Sequence, residues 1–156
     1  MLTIREYLPD DAGALMELFH ETVHAICAAD YTREQLDAWS PASSLDLEAW
    51  RARFNAKKPF VATVELEPVG FIELEPDGHI DCLYIHRDFQ RRGIATHLLQ
   101  HAISWARARS MLRLNVEASI TALPFFLRHH FTVVYRQHVE RHGQRLENVV
   151  MERRLS

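Results

Sequence analysis

The sequence predicts an α/β fold: a mixed, mostly antiparallel sheet with one parallel strand pair, flanked by helices. Three observations carry this. An apolar strand over residues 79–86, a long amphipathic helix over 92–109 and an alternating strand over 112–117 follow one another, and strand–helix–strand implies a parallel pair with a right-handed crossover. Short alternating segments separated by turn residues read as hairpins before and after that unit. Helical periodicity dominates residues 9–56.

Residues 2–7 alternate, with Leu2, Ile4 and Tyr7 set against Thr3, Arg5 and Glu6, as a strand does. Pro9-Asp10-Asp11 opens a helix with a carboxylate to cap it, and Leu15, Leu18, Phe19, Thr22, Val23 and Ile26 follow at helical spacing. Residues 31–39 form a second short helix capped by Thr32 and ended by Pro41. Residues 44–56 form a third, with Leu47, Trp50 and Phe54 on one face. Residues 60–66 are a strand, Glu67-Pro68 its turn, residues 69–74 the hairpin partner and Pro76-Asp77-Gly78 the next turn. The strand 79–86 carries Ile80, Cys82, Leu83, Tyr84 and Ile85, the pattern of a central strand buried on both faces. The helix 92–109 has the stripe Ile94, Leu98, Leu99, Ala102, Ile103 and Ala106. A short helix over 121–129 holds Pro124 in its permissive first turn. Residues 133–139 and 146–153 close the chain as a hairpin around His142-Gly143.

The chain of 156 residues suits one domain, 1–156, with one core. A net charge of −3 lacks the basic excess of a nucleic-acid binder. Cys27 and Cys82 stand far apart without a CxxC, so no disulfide framework or zinc cluster is expected, and no metal. No cationic leader opens the sequence and no apolar run approaches the roughly 20 residues that span a bilayer. The expectation is a cytoplasmic protein without a membrane partner.

The sharpest local feature is the junction Gln90-Arg91-Arg92-Gly93-Ile94-Ala95, where the central strand ends and the long helix begins. A helix start leaves about four N–H groups without partners, and their partial positive charge favours a phosphate. Gly93 lets backbone approach an anion without a β-carbon in the way. Neither the dinucleotide fingerprint nor a P-loop is present. The rival reading is a strand–helix turn with a glycine for packing.

In its motifs the stretch 81–131 resembles the GCN5-related N-acetyltransferase (GNAT) superfamily. Gln90-Arg91-Arg92-Gly93-Ile94-Ala95 fits that family's [QR]-x-x-G-x-[GA] turn, Leu83-Tyr84-Ile85 stands where a strand with L-x-V precedes it, and residues 122–131 stand where a short helix ends in G-F. Asp81-Cys82-Leu83-Tyr84-Ile85-His86, Ser119-Ile120-Thr121-Ala122 and Phe125-Phe126 look most like bacterial enzymes of the YafP type. The resemblance implies a GNAT-like fold and acetyl transfer from acetyl-coenzyme A to an amine of a small molecule or protein, by direct attack on the thioester. It implies that backbone groups of Leu83 and Ile85, with Tyr84 between them, pair with the pantetheine arm. Gln90 and the amides of Arg91, Arg92, Gly93, Ile94, Ala95 and Thr96 would hold the pyrophosphate. The parallel strands would splay near Leu83 and Asn115 to admit the thioester. The alternative function is a non-catalytic acetyl-coenzyme A sensor, and a homodimer stays open.

Transfer to an amine needs a base, because a free lysine-type amine with a pKa near ~10.4 is protonated at neutral pH. By alternation His79, Asp81, Leu83 and Ile85 share one face, which makes Asp81 and His79 the candidate catalytic residues, with Glu73 a third. The family's tyrosine acid aligns with Phe126, which has no proton to give. Ser119, Tyr84 or a water are the substitutes, or the thiolate leaves unaided. His130 replaces the glycine of G-F and must take a left-handed cap. His97 and His101, four apart, read as surface histidines. Tyr31, Trp39 and His24 are either core packing or a wall of the acceptor site.

Overall fold

The computed structural model of the protein describes residues 1–155. Strand β1 (Leu2–Glu6) leads through a 3-10 turn into helix α1 (Ala12–Ile26); α2 (Arg33–Trp39) and α3 (Leu47–Lys57) follow. Next come β2 (Phe60–Val64), β3 (Glu67–Leu74) and β4 (His79–Ile85), then α4 (Ile94–Ala108), β5 (Arg113–Ser119), α5 (Leu123–Arg128), β6 (Thr132–Arg141) and β7 (Gln144–Arg154). The described strands form one seven-stranded sheet in the order β1-β2-β3-β4-β5-β7-β6. Its pairs are antiparallel except β4 with β5.

Helices cover both faces. The α4 stripe packs Leu98, Leu99 and Ile103 against Ile72, Ile80, Leu114 and Met151 of the sheet. On the opposite face Leu15, Phe19 and Phe54 of α1 and α3 meet Val61, Phe71 and Cys82. Thr32 caps α2, its hydroxyl accepting from the Gln35 N–H while the Gln35 side chain accepts from the Thr32 N–H, a reciprocal capping box.

Several boundaries differ from the sequence reading. The β2–β3 turn falls on Glu65 and Leu66, both left-handed at φ 49° and 71°, and not on Glu67-Pro68; Pro68 enters β3 beside a bulge, where its missing N–H is tolerated. Asp11 does not cap α1, since its carboxylate takes both guanidinium arms of Arg5 at 2.8 Å and the Leu8 N–H. Helix α3 begins at Leu47, capped by Asp46, and not at Ser44. Helix α4 begins at Ile94, with Gly93 as its left-handed cap at φ 78°.

Two irregularities position the site. The parallel β4–β5 pairing consists of His79 with Asn115 and Ile80 with Val116, beyond which the strands part. On the other edge of β4, Glu73 pairs with Cys82 but Leu74 pairs with Ile80, so Asp81 is the extra residue of a bulge.

Candidate active site

The gap between β4 and β5 opens beyond Ile80 and Val116, so Asn115 lies at its closed end, with its N–H on the Gly78 carbonyl at 3.0 Å. This corrects the expected splay at Leu83 and Asn115: Asn115 does not line the cleft. The His86 N–H donates to Val69 on β3, so alternation turns the polar groups of Leu83 and Ile85 toward the gap. The Ile85 carbonyl is already taken there, accepting from the Thr22 hydroxyl and the Gln90 side-chain amide, each at 2.8 Å. Gln90 thereby ties the turn to the end of β4. The Leu83 N–H and C=O and the Ile85 N–H remain for an added strand.

Beside these groups lies a cavity of about 450 Å³. Leu83, Tyr84 and Ile85 form one wall, Gln90, Arg91, Gly93, Ile94, Ala95 and Thr96 the floor, and Ser119, Thr121, Phe125 and Phe126 the far side. Arg92 is not among its lining residues; its guanidinium lies 4.8 Å over the Phe89 ring. The floor is built for an anion. No side chain caps α4, so its first amides stay free, and left-handed Arg91 (φ 60°) and Gly93 turn the backbone into a nest of N–H groups. A β-carbon on Gly93 would meet only the His97 ring, at 3.9 Å. The left-handed backbone, and not crowding within the protein, is what calls for glycine.

A second cavity, about 150 Å³, opens on the α2 side. Tyr31, Trp39 and Tyr84 give it aromatic walls; His79, Asp81, Glu117, Arg141 and Glu147 give it charge. Tyr84 and Ser119 line both cavities. Of the expected acceptor wall, Tyr31 and Trp39 are in place. Tyr31 is buried, its hydroxyl donating to the Glu147 carbonyl at 2.6 Å and accepting from the Ile120 N–H at 2.9 Å, which ties β7 to the residue that follows β5. His24 turns away, to the Ser40 carbonyl.

The bulge overturns the expected alternation along β4. Leu83 and Ile85 pack with the α4 face, whereas Asp81 and Cys82 both reach Arg53 of α3. Arg53 binds the Glu73 carboxylate through two nitrogens, at 3.2 and 2.6 Å, and Asp81 at 2.9 Å. Glu73 is 0% exposed beneath it and has no route to a substrate. Burial works against the Asp81 carboxylate, but Lys57 at 3.1 Å and Arg53 outweigh it and hold its carboxyl below the usual range. A carboxylate pinned by two cations is a poor proton acceptor. His79 joins two carboxylates, Nδ1 to Glu75 at 2.6 Å and Nε2 to Glu117 at 3.0 Å. Burial would lower its pKa, but Glu75 and Glu117 prevail and raise it, and a protonated ring donates to both carboxylates. Glu117, its side chain 48% exposed at the pocket, is the carboxylate that sequence reasoning missed. Strand alternation marked it only as an outward-facing residue.

Glu75, His79 and Asp81 bring ligand atoms within 4.8 Å of one another. Lys57 binds both carboxylates and opposes a metal ion there. His97 and His101 do not act together: His97 bonds the Gly93 carbonyl and His101 packs on Phe60. Phe126 borders the larger cavity but is 1% exposed, packed on Phe131 and Phe125 with centroids 5.0 and 5.3 Å away. His130 takes the left-handed cap at φ 68°. Burial raises the Cys27 thiol, on the cavity wall, to about 11.

An uncapped helix start below a strand parted from its parallel neighbour is a geometry that suits a phosphate-bearing ligand. The chain belongs to the GNAT acetyltransferase family, whose model, described as "Acetyltransferase (GNAT) domain", matches residues 27–154. By class it is an acetyl-coenzyme A-dependent N-acetyltransferase. It is 34% identical over 150 residues to the N-acetyltransferase YafP of Escherichia coli strain K12, covering 96% of this chain and 94% of that one. A GCN5-related N-acetyltransferase from Rhodopseudomonas palustris superposes with a TM-score of 0.91 at 34% identity, over 97% of this chain and 94% of that one. The fold also matches yncA of Salmonella typhimurium, solved with acetyl-coenzyme A, at a TM-score of 0.76 and 19% identity, over 99% and 94% of the two chains. No described helix is long and apolar enough to cross a membrane.

Proposed function

We propose that acetyl-coenzyme A occupies the larger cavity and a small-molecule amine the smaller one, and that the acetyl group passes between them at Tyr84 and Ser119. The observation that carries this is the meeting of the two cavities at those residues. In this reading the pyrophosphate rests on the amides of Arg91, Gly93, Ile94, Ala95 and Thr96, with Arg92 at the rim, and pantetheine pairs with Leu83 and Ile85. The amine lone pair attacks the thioester carbon. The tetrahedral intermediate then expels the thiolate, which takes up a proton, while the amine nitrogen loses one. Burial raises the Tyr84 phenol well above its ordinary value; it stays protonated and serves as a fixed donor to developing charge. The amine proton leaves through water to Glu117, with His79 and Asp81 holding that carboxylate's surroundings in place. Cys27 is a poor nucleophile with its thiol raised to about 11, which favours direct attack over an acetyl-cysteine intermediate.

Initial-rate kinetics with both substrates varied test this. Intersecting lines, free thiol and an N-acetylated amine are expected. Parallel lines with an acetylated enzyme by mass spectrometry would replace direct attack by a two-step route. Tight acetyl-coenzyme A binding with no thiol release would favour the sensor.

A further inference from the structure

Resting on that reading, we infer that the acceptor carries an anionic group, a carboxylate at the end remote from its amine, held by Arg141. The smaller pocket looks acidic by residue count, which would suggest a polycation. Its pairing says otherwise. Asp81 lies 2.9 and 3.1 Å from Arg53 and Lys57, Glu117 lies 3.0 Å from His79, and Glu147 lies 2.8 Å from Arg136. Each carboxylate lining the pocket is paired with a cation of the protein, although Arg53, Lys57 and His79 are shared with Glu73 and Glu75. Arg141 is not so paired: its one described hydrogen bond is to the Glu140 carbonyl at 3.0 Å, and no described carboxylate pairs with it. Arg141 is thus the one charged lining residue without an opposite charge beside it among the described residues.

A second observation places the other end. Asn148 on β7 stands opposite Ser119 in the sheet register, at the junction with the coenzyme cavity. Its Oδ1 is buried without a hydrogen-bond donor among the described residues, an arrangement that costs stability unless a ligand supplies the donor. In this proposal an amine N–H of the acceptor becomes that donor, with the Asn148 side chain turning toward it. Asn148 pairs with Gln137 on β6, and Arg141 lies four residues further along that strand, roughly 13 Å at strand spacing. Arg141 lines the pocket from the hairpin tip, so amine and carboxylate occupy opposite ends. A cavity of about 150 Å³ matches a molecule near the size of benzene, which limits the acceptor to a short chain.

The test compares unbranched ω-amino carboxylates of one to five methylenes with alkylamines of the same length, read as thiol release from acetyl-coenzyme A and as calorimetric binding to the coenzyme A-loaded protein. The carboxylates should exceed the alkylamines at least tenfold in kcat/KM, chiefly through KM, and the ratio should collapse toward one in Arg141→Gln. Asn148→Ala should weaken carboxylates and alkylamines together and leave their ratio. Alkylamines or diamines that match the carboxylates, or a preference that survives in Arg141→Gln, would overturn the inference. The two readings fail separately. Arg141-dependent binding without thiol release would sink the transferase reading alone; thiol release without charge preference would sink this one alone.

Discussion

His79, in the parallel ladder of β4, holds Glu117, the first residue of β5 beyond that ladder, through an Nε2···Oε1 contact of 3.0 Å. The contact places one oxygen of a carboxylate at the mouth of the acceptor pocket and supplies its counter-charge. Glu117→Gln should therefore lower kcat by roughly 10²–10⁴ with little change in acetyl-coenzyme A affinity. Asp81→Asn should cost less, since Asp81 is occupied by Arg53 and Lys57. If instead the Asp81 variant loses more activity in the same thiol assay, the base is Asp81.

The same contact makes stability depend on pH. The folded protein raises the His79 pKa, so the imidazolium favours the folded state. That contribution is full below the unfolded value near ~6.5, provided Glu75 and Glu117 are ionised, and is lost as pH rises through the folded value. Wild type should exceed His79→Gln in melting temperature by more at pH 6 than at pH 9. A difference that grows toward alkaline pH contradicts the assignment of His79 as a cation.

Gly93→Ala and Gly93→Val separate backbone strain from ligand approach. Both place a side chain at φ 78° and should cost about 1–2 kcal/mol. Valine adds branches over the α4 amides and should weaken acetyl-coenzyme A binding at least tenfold by calorimetry, about 1.4 kcal/mol. Unchanged affinity in a folded valine variant would remove the anion from this turn.

Tyr31→Phe removes the hydroxyl that serves the Glu147 carbonyl and the Ile120 N–H. Leaving these groups without partners should cost about 1–3 kcal/mol in chemical denaturation. A neutral substitution would show that water replaces the hydroxyl and that β7 needs no tie to the residue that follows β5.

Phe126→Tyr addresses the vacant acid position. The ring is packed on Phe125 and Phe131 and is 1% exposed, so an added hydroxyl should destabilise by about 1–3 kcal/mol without raising the rate. Tyr84→Phe should lower kcat by roughly 10²–10³. A large gain in thiol release by the Phe126 variant would reverse the two roles.

Residues with strong local signals were legible. The apolar stripe of α4 and the strand–helix–strand order follow from periodicity alone, and Gly93 stood out as the glycine of a helix start. The bulge at Asp81 was not legible, because it answers a tertiary demand: Arg53, from another element, collects Glu73, Asp81 and Cys82 on one side. One extra residue then reverses facing for the rest of the strand. Glu65-Leu66 was missed because neither residue advertises the left-handed backbone both adopt, whereas Pro68 beside them is an ordinary turn signal. Glu117, Arg141 and Asn148 sit on strands whose alternation marks them only as polar, and their meaning comes from partners contributed by other strands.

The central claim is that acetyl-coenzyme A and an amine meet at Tyr84 and Ser119, and thiol release is its most direct measurement. With a carboxylate-bearing amine the wild-type protein should release thiol in step with N-acetylated product, and Tyr84→Phe should bind acetyl-coenzyme A as tightly while releasing thiol roughly 10²–10³ more slowly. A Tyr84→Phe protein that releases thiol at the wild-type rate would contradict it.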